Sequence, residues 1–211
     1  MSIVTDINGL DESIIDCINN ELKIKIVDKY SFGNNTRYIS PYDLNDPYLT
    51  LPFNFAVNNL KLPRKPRTKD CSIEIKFEGE LREEQELVKK EALKILNKKG
   101  SVILSMYCGF GKTITSIFLT SVIKMKTLII VNKLVLMTQW EESIKRFCPN
   151  SSVQKLKPKC KKKDCDFYII NAINAEKMGK ECFQDIGCVI VDEAHLIMAE
   201  TVSKCLNVVS P

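Results

Sequence analysis

The chain has 211 residues, 45% apolar and 27% charged, enough for one substantial core with a small appendage. Its net charge is only +5, no apolar run nears the ~18 residues that span a bilayer, and the N-terminus lacks a signal-peptide pattern. These features argue against a membrane or exported protein, so an intracellular location is expected and the nine cysteines read as reduced thiols.

Residues 1–75 and 76–211 differ in texture. In the first stretch, apolar residues at helical spacing predict a helix over 9–22 with Asp11 as cap, followed by a strand over 22–30. Pro41, Pro47, Pro52 and Pro63 then reject long helices and central strands. A small α+β appendage is expected, joined through a linker in which Lys61, Arg64, Lys65, Arg67 and Lys69 crowd together. From about residue 80, strands at 101–107, 127–131, 167–172 and 187–191 alternate with helices at 81–97, 112–124, 133–147 and 195–207. That alternation predicts an α/β domain, a parallel sheet covered by helices on both faces.

The strand predicted at 101–107 runs into Met106, Tyr107, Cys108, Gly109, Phe110, Gly111, Lys112 and Thr113. This reads as a phosphate-binding loop: Gly109 and Gly111 let backbone N–H groups turn inward, and a helix starting at 112 offers its positive end to an anion. Lys112 would reach the β- and γ-phosphates of ATP, and the Thr113 hydroxyl would ligate Mg2+. Met106 stands where the general pattern has Gly or Ala. The last strand ends in Asp192-Glu193-Ala194-His195. Two carboxylates after a buried strand are costly unless a cation or catalysis needs them. Asp192 suits magnesium, Glu193 suits polarising the attacking water, and His195 suits coupling nucleotide state to neighbouring segments.

With those motifs, the chain resembles the superfamily 2 helicases of the DEAH type, over roughly residues 45–211. Leu81-Arg82-Glu83-Glu84-Gln85 is similar to the adenine motif of that superfamily, which implies that Gln85 reads the adenine edge and Arg82 lies near the base or phosphates. Phe77 is either core or a stacking partner for the base. The segment 127–140, ending Gln139-Trp140, resembles motif Ia, which implies backbone contacts to DNA or RNA at Asn132 and Lys133, with Gln139 and Trp140 bracing the helix. Phe167–Ala172 is a strand whose end would carry a further backbone contact. The combination is most similar to helicases of large cytoplasmic DNA viruses, of the poxvirus and asfarvirus sort. The resemblance implies a RecA-like domain, truncated before motif III, with a second RecA-like domain as partner in a longer chain. It further implies a role in viral transcription or genome processing, a location in host cytoplasm or virion, and little hydrolysis by this portion alone.

Two other functions fit parts of the pattern: a nucleotide-gated nucleic-acid-binding module without motor activity, and a P-loop kinase or simple NTPase. Cys160 and Cys165 invite a zinc reading, but Cys148 and Cys182 could complete it only across distant elements, and a basic loop is the simpler expectation. In that loop Lys155, Lys157, Lys159, Lys161, Lys162 and Lys163 either neutralise phosphates or form a solvated surface.

Overall fold

The computed structural model describes residues 2–27, 36–63, 71–195, 205 and 209. Its first elements are β1 (Ser2–Asp6), α1 (Glu12–Glu21), β2 (Ile24–Val27), β3 (Thr36–Ile39), β4 (Asp43–Asn45), β5 (Tyr48–Pro52) and α2 (Phe53–Asn58). Strand β5 lies between β1 and β4, antiparallel to both, and β2 pairs antiparallel with β3. Ile14, Ile18 and Leu22 recur every four residues, so α1 turns one apolar stripe onto Ile3, Leu49, Leu51 and Ala56. The helix is shorter than 9–22 because Ile7–Gly9 forms a separate 3-10 turn, and Asp11 stands at its N-cap without a side-chain bond. Of the basic linker cluster only Lys61 is among the described residues.

Residues 71–78 pack against the C-terminal part of the chain. Lys126 N–H donates to the Cys71 carbonyl, Ile73 N–H to Lys124 and Glu78 N–H to Phe147, while Ile75 is buried under the larger sheet. The unit built on that sheet comprises α3 (Glu83–Lys99), α4 (Lys112–Ile123), β6 (Thr127–Val131), α5 (Leu134–Phe147), β7 (Val153–Leu156), β8 (Phe167–Asn171), α6 (Ala172–Ala175) and β9 (Cys188–Val191). The strands are all parallel, in the order β7-β8-β6-β9. Both faces are covered, which explains the unbroken apolar runs. Ile129, Val131, Phe167 and Ile169 face α4 and α5, and Leu128, Ile130, Tyr168 and Ile170 face Phe183, Ile186, Cys205 and Val209.

Two strand expectations need correction. Residues 101–107 form no regular element; Val102, Leu104 and Met106 are half-buried and Ile103 is 84% exposed, but no described strand pairs with them to complete a ladder. Alternation alone does not make a strand; the backbone groups need a partner. Conversely, β7 was not expected, because Val-Gln-Lys-Leu at a sheet edge carries little apolar signal. The strand expected to reach 172 stops at Asn171, where Ala172 opens α6. The helix expected over 195–207 lies almost wholly outside the described residues.

Candidate nucleotide site

Helix α4 feeds β6 through residues 124–126, so it runs against the strands and begins at their C-terminal edge. It also packs on β9, whose last residue precedes Asp192. Lys112 and Asp192 therefore stand at one edge of the sheet, where open α/β folds bind ligands.

The loop before α4 is braced from behind. Gly109 and Gly111 have φ of 83° and 97°. The Phe110 carbonyl accepts from the Gln85 amide at 2.8 Å and from the Arg82 guanidinium, which also reaches the Gly109 carbonyl at 3.3 Å. Gln85 in turn accepts the Arg82 backbone N–H at 2.9 Å and is 2% exposed. Its amide thus secures the phosphate loop to the start of α3, leaving one amide hydrogen and one oxygen lone pair for any adenine contact. Phe77 is core, packed between Phe118 and Phe147 at ring separations of 5.0 and 5.4 Å. Lys112 arches back to donate to the carbonyls of Met106 and Tyr107 at 3.0 and 3.3 Å. Thr113 is half-buried one residue into the helix, and Tyr107 and Cys108 are exposed at the rim.

The acidic turn is equally defined. Asp192 N–H donates to Ile130 at 3.0 Å, continuing the β6–β9 ladder. Its Oδ1 accepts the Glu193 N–H at 3.0 Å, and its Oδ2 accepts the Trp140 indole N–H at 2.8 Å. Glu193 has φ of 54°, uncommon for a residue with a Cβ, and its carboxylate lies 3.3 Å from His195 Nδ1. Both side chains are exposed. Among the described residues no three His, Cys, Asp or Glu side chains are grouped to hold a metal ion, the four cysteines of the zinc reading included. Thr113 and Asp192 are oxygen donors of the kind magnesium accepts alongside phosphate oxygens and water.

At the β6–α5 turn, Lys133 is exposed and Asn132 Oδ1 is buried without a hydrogen-bond partner. The basic segment from the end of β7 to Lys163 is held by its neighbours. Lys155 pairs with Glu141 at 2.6 Å, Lys162 pairs with Asp185, and Gln154 bonds both the Lys161 carbonyl and the Lys163 N–H. Lys157, Lys159, Lys161 and Lys163 remain exposed. Cys148 is an inert core thiol, pushed up to about 11 by burial and the nearby Glu78. Sequence reading saw Trp140 as a helix brace; its bond to Asp192 was missed, since nothing local to either residue encodes it.

A parallel sheet with a glycine-rich phosphate loop and an acidic turn on one edge defines the class of P-loop nucleotide-binding domains. Comparison with known proteins narrows this: the chain belongs to the helicase-superfamily family described as type III restriction enzyme, res subunit, whose model matches residues 78–211. It is 40% identical over 219 residues to "Putative helicase 161L" of Invertebrate iridescent virus 6, covering 100% of this chain and 48% of that protein. It is 33% identical over 231 residues to "Putative helicase 109L" of Invertebrate iridescent virus 3, covering 100% of this chain and 70% of that one. The chain thus spans about half the length of the first relative. The fold is shared with the UvsW helicase of bacteriophage T4, at a TM-score of 0.64 and 16% identity over 96% of this chain and 83% of that one.

Proposed function

We propose that the chain is the ATP-binding lobe of a DEAH-type superfamily 2 helicase or translocase, which couples ATP hydrolysis to movement along DNA or RNA. The observation that carries this reading is the placement of Lys112 and Asp192 at one sheet edge by the packing of α4 on β9. Lys112 would neutralise the β- and γ-phosphates, and the α4 N-terminus would receive their charge. Thr113 and Asp192 would hold magnesium, which bridges phosphate oxygens and offsets the charge that develops on them. Glu193, exposed beside Asp192, would orient the attacking water, and His195, paired with it, would relay its position.

Asn132 and Lys133, at the C-terminal edge of β6, would meet the nucleic-acid backbone. Such contacts carry no base information, so either DNA or RNA satisfies them. Motor action would further need a second RecA-like domain closing over the nucleotide, and coverage of 48% of one relative leaves length for it. Residues up to about Leu62 would form a separate appendage before the ATP-binding unit, supported by their own core of Ile3, Ile18, Leu49 and Leu51, while 71–75 pack with the larger sheet and move the expected boundary at 75 toward the N-terminus.

The test is phosphate release by the full-length protein with single-stranded DNA, duplex DNA or RNA added in turn. Nucleic-acid-stimulated turnover is expected, reduced about 10²–10³-fold in Lys112→Ala. Nucleic-acid binding indifferent to both ATP and Lys112 would instead make the chain a binding module.

A further inference from the structure

Trp140 is the only tryptophan in the chain, 3% exposed, and packed among Ile117, Met137, Ile144 and Phe167. Packing accounts for its ring but not for its one polar atom. That N–H leaves the apolar cluster and donates to Asp192 Oδ2 at 2.8 Å. The other carboxylate oxygen is held at 3.0 Å by the Glu193 N–H, so both oxygens have a fixed direction. One restraint comes from the acidic turn itself; the other comes from α5, whose first residue follows Asn132 and Lys133 directly. Leu134 to Trp140 is nearly two turns of unbroken helix, a stiff connection.

We propose that Trp140 is a positioning residue for Asp192, aiming its carboxylate at the magnesium of a bound nucleotide and linking it mechanically to the Asn132–Lys133 turn. This rests on the reading that Asp192 holds magnesium. An indole N–H can only donate, so it orients the carboxylate oxygen that it holds while the remaining lone pairs stay available to a cation. A displacement of α5 by a strand bound at its start would move the indole against Asp192, giving the backbone contact a direct route to the metal ligand.

The lone tryptophan makes its own reporter. In the unmodified chain, adding nucleotide with magnesium is expected to change the indole emission, and adding the nucleotide with a chelator is not. Asp192→Ala should abolish the magnesium-dependent part. In Trp140→Phe, which keeps a ring and removes the N–H, equilibrium dialysis with labelled ATP should show the magnesium half-saturation raised about 10- to 100-fold, with metal-free affinity unchanged. Wild-type magnesium dependence in a folded Trp140→Phe overturns the proposal. Should that variant fail to fold, emission of the unmodified chain decides: no magnesium-dependent change overturns it equally. Normal magnesium dependence in Asp192→Ala would instead remove the premise, that Asp192 is a ligand.

Discussion

A Cβ placed on Gly111 would lie 2.4 Å from the Gln85 amide nitrogen and 3.2 Å from the Arg82 guanidinium, at a φ of 97° that L-residues avoid. An added Cβ would therefore push the ends of these two bracing side chains off the loop, and the positive φ would strain the backbone wherever they moved. The left-handed backbone alone costs roughly 1–2 kcal/mol for a residue with a Cβ. Gly111→Ala should therefore lower the unfolding midpoint by about 2–8 °C and weaken ATP binding at the same time. A calorimetric scan with a nucleotide titration would check both; unchanged binding would mean the brace does not shape the phosphate cradle. Residue types marked this bend in the sequence because the positive φ at Gly109 and Gly111 is a demand local to their own backbone. Gln85 was legible as part of the site, yet its observed task, holding the Phe110 carbonyl, depends on a residue 25 positions away.

At the scale of elements, the connection from β7 to β8 joins two parallel neighbours without a helix. It is held to the sheet by Lys155, Lys162, Gln154 and the Tyr168 hydroxyl, which donates to the Lys163 carbonyl at 2.8 Å and accepts the Cys165 N–H at 2.9 Å. Lysines 155 and 162 are spent on Glu141 and Asp185, so only Lys157, Lys159, Lys161 and Lys163 are available to phosphates. If these four meet a nucleic-acid backbone, replacing all of them by Ala should flatten the log K against log salt slope by about three. A slope that stays the same would assign them to a solvated surface. Sequence counted six lysines in the loop; only packing divides them into anchors and free charges. The same holds for residues 101–107, where the alternating pattern was legible and the lack of a pairing strand was not.

For the whole molecule, the sheet edge opposite the candidate nucleotide site is tied by charge. Lys126 pairs with Asp164 at 2.6 Å and Asp185 at 3.4 Å, and Lys162 pairs with Asp185 as well. Burial works against ionisation of Asp185, but the bond and charge of Lys162 and the charge of Lys126 outweigh it and hold the carboxyl below its ordinary 3.8. Glu141 is lowered from 4.5 by its bonds to Lys145 and Lys155. Groups with lowered folded values stabilise above the unfolded value and lose that contribution as pH falls through the folded one. The unfolding midpoint should accordingly drop as pH falls below these ordinary values, and Asp185→Asn should shrink the drop, measured by circular dichroism across an acid series. Lys126, raised chiefly by its bond to Asp164, gives the opposite limb, with a contribution complete below its ordinary 10.5 and lost as pH rises through the folded value.

What the sequence determined by itself was the α/β class, and it marked the glycine bend at 106–113 and the acidic turn at 192–195 as the candidate site. Each is written in a few consecutive residues, where a glycine bend, a helix start or a buried apolar run needs no distant partner. Tertiary structure alone decided which strands pair, that Arg82 and Gln85 grip the loop from behind, and that an indole 52 residues away restrains Asp192. Hydrogen bonds between side chains and distant backbone depend on how helices lie across the sheet, and that geometry belongs to the folded packing, not to any local stretch of chain.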